Sequence, residues 1–400
     1  MKVCHVAYQT WPTQCGAVTR LEQLLEAQHL LGVDTFVISS PFQVANSTCA
    51  IEYRRGIKYY RTSIGFKHIG FSNAIGFWGR LHKFTHIFSF VCQVWKICRI
   101  EKPDIINAHA TFFIGLSALF VARFMGIPCV YEVRSTWEED LKGGSFVYLQ
   151  RSIIKYMERL TIKLSSGTVF LSKGLQEHYC KRIPVNRSAL IYNCVKEPTT
   201  SSTGRMNDPV FKLGYIGSLY DYEGLENLIK VAQLLRQTDI KFHIDIVGGG
   251  PSEQYLVDLT RKLRLDDIIT FHGRVNPDSV DSYYNNIDVI VLPRRDLVIT
   301  NRVAGLKPIE AFSHKKIVVA SDVEGMKELF VDGIHGLLFQ ADNISDMYNK
   351  ITWVYNNKEL ACKIALSGYQ LFLEKHTLAA MGKQYLLFYD EVLVNSRHEM

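Results

Sequence analysis

Short runs of β-branched and aromatic residues alternate with helical apolar patterns along nearly the whole chain, and Gly, Pro, Asp or Asn marks each switch. That rhythm belongs to βαβ units, which wind into parallel sheets covered by helices. In the first half it predicts strands near Val3–Tyr8, Thr35–Ser39, Ile57–Arg61, Asp104–Ala108, Cys129–Val133, Thr168–Leu171 and Leu190–Tyr192. It breaks at Lys196–Asn207 (KEPTTSSTGRMN), a polar stretch with Pro and Gly and no periodic apolar residues, as in a linker. It then restarts, with strands near Lys212–Ile216, Phe242–Val247, Ile268–His272, Val289–Leu292 and Ile317–Ala320. The expected architecture is α/β, two Rossmann-like, doubly wound domains facing each other across a cleft. Residues 1–195 form the first, 196–209 the linker and 210–375 the second, and the amphipathic segment 376–400 returns to pack on the first.

The 400 residues suit two domains, and 47% hydrophobic against 21% charged residues excludes a disordered chain. The net charge of +7 favours anionic ligands or membrane surfaces. Nine cysteines with no C-x-x-C pair and no zinc-like spacing fit a reducing cytoplasm. The opening MKVCHVAYQTWP reads as a strand entering a loop rather than a leader, and the longest apolar stretch, Phe112 to Ala122, is too short to span a bilayer.

Parallel sheets present ligands at the carboxyl ends of their strands, so chemistry is sought there. The most informative segment is Gly305 to Phe312 (GLKPIEAF). Pro308 suits the first turn of a helix, so unpaired N–H groups, the positive end of the dipole and the Lys307 ammonium converge where a phosphate would bind. Glu310 in that turn reads either as a carboxylate for the two hydroxyls of a ribose or as simple dipole compensation. Glycine turns follow three strands of this half, at Gly217, at Gly248 to Gly250 and at Gly273 beside Arg274. Each alone is also what any tight αβ connection needs.

In the order and spacing of these segments the chain resembles glycosyltransferase family 4, retaining nucleotide-sugar-dependent enzymes with the GT-B fold. The match runs through Gly217, Gly248 to Gly250, His272-Gly273-Arg274, Asp288 to Pro293, Lys307 to Phe312, and Ser321 through Glu328, Gly333 and Gly336. The first half agrees more loosely, through the Gly16 loop, Asp104 to His109 and Tyr131 to Arg134. The runs Tyr222-Glu223-Gly224-Leu225 and Leu306 to Ala311 are similar to the subset that builds bacterial surface or exported polysaccharides.

The resemblance implies that Glu310 holds the nucleotide ribose, that the helix start and the loop at Gln14-Cys15-Gly16 cradle the diphosphate, and that His109 lies near the transferring sugar as the catalytic residue. By itself His109 reads equally as an ordinary hydrogen-bonded histidine. Gly217, Arg274, Arg302 and Lys307 complete the expected donor site, with Arg134 and Glu138 toward the acceptor. Two departures stand out. Arg302 occupies the place of the family's first glutamate, and Ser218 and Glu223 stand where an Arg and a Lys usually neutralise diphosphate. Arg274, Arg294, Arg295, Arg302 and Lys307 are therefore the candidates for charge balance, although the arginines at 294, 295 and 302 read equally as a solvated loop face. No D-x-D cluster flanked by apolar strand residues demands a metal, so no cofactor and no metal are expected beyond the nucleoside-diphosphate sugar substrate.

Phe77, Leu81, Phe84, Phe88, Val91, Trp95 and Cys98 form an apolar stripe that predicts a helix packing on the first sheet. The aromatic approach from Phe66 to Trp78, with basic residues nearby, suits peripheral membrane contact through residues 66–99, as expected for a lipid-linked acceptor. The reading is a cytoplasmic hexosyltransferase acting at the inner face of the membrane on an oligosaccharide or lipid-linked acceptor, with no nucleic-acid partner. The alternatives are a nucleotide-sugar epimerase of the same architecture and a catalytically silent sugar-nucleotide-binding partner, the latter motivated by Ser218, Glu223 and Arg302.

Overall fold

The computed structural model describes residues 1–13, 15–43, 49–62, 77–134, 145–198, 208–276 and 279–398. The chain forms two compact units, one of Met1–Asn193 with Leu378–Met400 and the other of Cys194–Thr377. Most of the expected linker, residues 199–207, lies outside the described residues.

The first unit is built on an eight-stranded sheet. Its strands are β1 (Lys2–Ala7), β2 (Asp34–Ser39), β3 (Ile51–Arg54), β4 (Ile57–Arg61), β5 (Ile105–His109), β6 (Cys129–Val133), β7 (Gly167–Phe170) and β8 (Ser188–Leu190), in the order β3-β4-β2-β1-β5-β6-β7-β8. Every pairing is parallel except β3 with β4. Central strands of such a sheet are covered on both faces, which is why β5 and β6 are buried throughout.

Because side chains alternate across a strand, the two faces collect different partners. Ala7, Val37 and Tyr59 pack with Leu21 and Leu25 of helix α1 (Gly16–Leu30). Val6, Ile38, Ile106 and Tyr131 face the other way, onto Phe90, Val94 and Cys98 of α2 (Phe77–Glu101), Ile114 and Ala118 of α3 (Phe112–Met125) and Ile162 of α4 (Ser145–Leu164). The apolar stripe expected on α2 is therefore corrected. His86, Phe90, Val94 and Cys98 are its buried line, whereas Phe88 and Trp95 are exposed.

The last helix of the chain, residues 378–398, packs beside α1 and buries Met381, Tyr385, Phe388, Tyr389 and Val392 in the first unit.

The second unit is a six-stranded, wholly parallel sheet. Helix α5 (Lys173–Cys180) precedes it in the chain, and its strands are β9 (Phe211–Ile216), β10 (Phe242–Val247), β11 (Ile269–Gly273), β12 (Val289–Leu292), β13 (Ile317–Ser321) and β14 (Leu337–Phe339), in the order β11-β10-β9-β12-β13-β14. Helix α6 (Leu225–Leu235) buries Leu225, Leu228, Ile229, Ala232 and Leu235, the five residues that its periodicity places on one face.

Candidate active site

In the second unit the strand ends of β9, β10 and β11 lie side by side, and their glycines determine what can approach. Gly217 follows β9 with φ +151°, and Gly248 follows β10 with φ +130°. A methyl group on Gly217 would collide with the Lys307 side chain, and one on Gly248 would collide with the Gly217 carbonyl oxygen. Gly249 carries the stem of Arg274 across it, since an added Cβ there would lie 2.9 Å from the Arg274 Cγ. The structure thus brings Gly217, Arg274 and Lys307 together.

Lys307 opens a seven-residue helix, Lys307–Ser313, with Pro308 in its first turn. Its ammonium is not directed outward. It donates to Glu223 Oε1 at 2.6 Å and lies 5.5 Å from the centre of the Tyr215 ring. Glu223 ends a single 3₁₀ turn, Asp221–Glu223, and is 1% exposed. It also accepts from Arg294 Nη2 at 3.2 Å and Nε at 3.3 Å. Burial works to raise the Glu223 carboxyl, but Arg294 and Lys307 outweigh it and hold it below its ordinary value. Burial pulls the Lys307 ammonium down, and Glu223 opposes this only in part.

Glu310 lies one helical turn beyond Lys307. It keeps some exposure while protein packs around most of it, and that desolvation raises its carboxyl, against the opposing pull of Lys307 and of a 3.3 Å hydrogen bond from the Tyr284 hydroxyl. Arg302 is the last residue of the short helix Val298–Arg302 and is half-buried, and the guanidinium on Glu223 is that of Arg294. Sequence reasoning counted Glu223 as a lost cation. The structure shows that this position instead gathers two cations.

In the first unit Gly16 begins α1 with open space where a Cβ would project. Gln14 and Glu138 lie outside the described residues. His109, at the end of β5, is 2% exposed with both ring nitrogens engaged. Arg134 Nη2 lies 3.0 Å from its Nδ1, and His5 Nδ1 lies 2.8 Å from its Nε2. The same His109 Nδ1 lies 3.3 Å from Glu132 Oε1, and His5 Nε2 lies 2.8 Å from Gln28 Oε1. Burial keeps both histidines neutral, lowering His109 and bringing His5 to about 3.

Beside His109 sits Glu132, its register partner on β6, wholly buried. Burial would raise its carboxyl, but Arg134 and Arg20 hold it well below the ordinary carboxylate value. Arg20 Nε lies 3.3 Å from it, Arg134 Nε closer still, and Tyr385 from the last helix donates to its other oxygen. The sequence places Glu132 in the Tyr131 to Arg134 segment but gives no sign that it is a shared counter-ion, because Tyr385 and Arg20 come from distant segments.

Two family models match in succession, one described as Glycosyltransferase Family 4 over residues 15–197 and one as glycosyl transferases group 1 over residues 199–370. A glycosyltransferase of Methanocaldococcus jannaschii is 26% identical over 293 residues, covering 72% of this chain and 76% of that protein. Among solved structures, sucrose-phosphate synthase from Thermosynechococcus elongatus superposes with a TM-score of 0.75 at 16% identity, covering 98% of this chain and 99% of the other. HepE from Anabaena, solved in complex with UDP, gives 0.71 at 15% identity, covering 98% and 100%.

Proposed function

We propose, for a chain that belongs to the family 4 glycosyltransferases of the GT-B fold, the retaining transfer of a hexose from a nucleoside diphosphate sugar to a lipid-linked oligosaccharide in polysaccharide biosynthesis. The observation that carries the reading is the grouping of Gly217, Arg274 and Lys307 on one rim of the second sheet, with Glu310 a turn away. Breaking the bond from anomeric carbon to phosphate places negative charge on the departing diphosphate, and fixed cations aimed at that charge lower the barrier. Lys307 and Arg294 meet at Glu223 beside the Gly217 turn, and Arg274 adds an exposed guanidinium across Gly249. The bare glycine backbone admits a phosphate close to these groups. Glu310, ionised, would accept the two ribose hydroxyls. UDP in HepE from Anabaena supports a nucleoside diphosphate as donor.

The proposal includes transfer without a divalent metal, His109 beside the sugar, and work at the inner face of the membrane with contact through residues 66–99. A silent sugar-nucleotide binder is the second reading, favoured by the occupation of Lys307 by Glu223. A thermal-shift panel of nucleotide sugars identifies the donor, because a ligand bound only by the folded state raises its apparent stability. Transfer or donor hydrolysis is then measured in wild type, Glu310→Ala and Lys307→Ala, with and without a chelator. Chelator-insensitive turnover that both substitutions abolish is the expected result. Donor binding with no turnover under any acceptor condition would favour the silent binder.

A further inference from the structure

The geometry points to the outer surface of α2, α3 and α4 as a docking face for an anionic lipid bilayer, an inference that rests on the lipid-linked acceptor proposed above. These helices are neighbours, α2 beside α3 and α3 beside α4, and all send their apolar sides into the same face of the first sheet. Their composition is unusual. Over the three helices the sequence has nine lysines and arginines against two glutamates, an excess of seven that equals the excess of the whole 400-residue chain. Everything else in the protein is balanced.

Neither glutamate tempers the surface. Glu158 is buried and accepts the Tyr131 hydroxyl at 2.7 Å. Glu101 is taken by Lys2 and Lys58, each at 2.6 Å, and by Tyr60. Lys96, Arg99, Arg123, Arg159 and Lys163 are exposed. Between these cations stand large apolar side chains that water does not favour. Phe124 is 71% and Tyr148 74% exposed, and Phe88, Phe120, Ile153 and Tyr156 are exposed as well. The Phe120 and Phe124 rings sit 4.6 Å apart with Arg123 between them in sequence.

Cations without carboxylates suit phosphate headgroups, and aromatic side chains settle at the boundary between headgroups and acyl chains. No described helix is long and apolar enough to cross a membrane, so the contact lies along the surface. This face differs from the one expected at residues 66–99. It shares only α2 with that stretch and carries four of its nine cations on α4.

Flotation of the full chain with phosphatidylcholine vesicles, with or without phosphatidylglycerol, tests the assignment. Wild type is expected to float only with the anionic vesicles. Arg123→Glu/Arg159→Glu/Lys163→Glu is expected to lower partitioning roughly a hundredfold, and Phe120→Ser/Phe124→Ser to lower it several-fold. Lys241→Glu/Lys262→Glu/Lys363→Glu in the second unit makes the same change in net charge and should leave it unaltered. Absence of wild-type flotation, equal flotation of the first two variants, or equal loss in the second-unit variant would overturn the proposal, as would tighter capture by RNA than by vesicles. Circular dichroism confirms that each variant is folded. Nucleotide-sugar turnover without vesicles separates the two readings. Turnover without flotation removes the docking face alone, and flotation without turnover removes the transferase reading alone.

Discussion

Each unit holds a buried glutamate shared by two cations, and the two clusters differ in what else those cations grip. At Glu132, Arg20 also donates to the carbonyl oxygens of Ile191 and Tyr192 at 3.0 Å, to Asn193 Oδ1 at 3.0 Å and to the Tyr385 hydroxyl at 3.1 Å. Arg134 reaches the Ala17 carbonyl oxygen at 2.6 Å as well as His109. That cluster joins α1, β5, β6, the segment after β8 and the last helix. At Glu223, the Lys307 ammonium has three donors and one described hydrogen-bond acceptor, and it lies against a glycine turn. A cation whose donors all meet fixed acceptors is a staple. A cation held by one carboxylate can take a second anion without dismantling the fold.

The largest effect expected from this difference is on stability. Glu132→Ala leaves two guanidinium groups buried without their counter-ion and should cost about 3–5 kcal/mol. In a Trp353→Phe background every remaining tryptophan belongs to the first unit, so urea unfolding followed by fluorescence reads that unit. A loss below about 1 kcal/mol would remove the distinction between staple and site. Next comes catalysis. Lys307→Ala should reduce kcat/KM roughly a hundred- to a thousandfold with a much smaller change in the unfolding midpoint. If stability fell as far as it does in Glu132→Ala, the two clusters would be the same kind of object.

Acid acts on the first unit through its buried histidines. His5 is held neutral, at about 3, by burial and by His109, against an ordinary value of 6.5. The unfolded chain binds that proton below pH 6.5 and the folded one does not, so stability is full above 6.5 and falls as the pH drops from there toward 3. Each such histidine contributes a slope of about 1.4 kcal/mol per pH unit. His109 is lowered in the same direction, whereas Glu132 adds a loss only below the ordinary carboxylate value of 4.5. His5→Gln should therefore reduce the first unit's stability slope between about pH 6 and about pH 5. An unchanged slope would mean that His5 is charged in the fold.

What the sequence disclosed follows the range of the interactions. Lys307, Pro308 and Glu310 share one helical turn, so their grouping was legible, as was the strand rhythm that ends at Gly217. The Glu132 cluster was not, because its partners lie 112 and 253 residues away in the chain. Glu223 was misread for the same reason, its two cations lying 71 and 84 residues downstream. The buried line of α2 was phased wrongly because that helix has apolar residues on nearly every side, and only the sheet decides that Phe90 rather than Phe88 faces inward. Strand β3 escaped notice as an edge strand with Glu52 and Arg54 among its four residues.

The smallest expected effect concerns the rim of the second cluster. The Tyr284 hydroxyl donates to Glu310 Oε2 at 3.3 Å and holds the carboxyl down against the burial that raises it. Tyr284→Phe removes that donor, keeps the ring stacked 4.3 Å from His314, and lets the Glu310 carboxyl rise further. Glu310 must be ionised to accept a pair of ribose hydroxyls, so donor affinity should weaken by a few-fold, in keeping with about 0.5–1.5 kcal/mol for one neutral hydrogen bond. The acid limb of donor binding should also move to higher pH. Nucleotide-sugar binding measured across the acid range in both proteins checks the direction. A limb that stays in place while affinity falls would assign Tyr284 to packing and leave Lys307 alone to hold the Glu310 carboxyl down, which would bring the rim of the second cluster closer to the rigid character of the first.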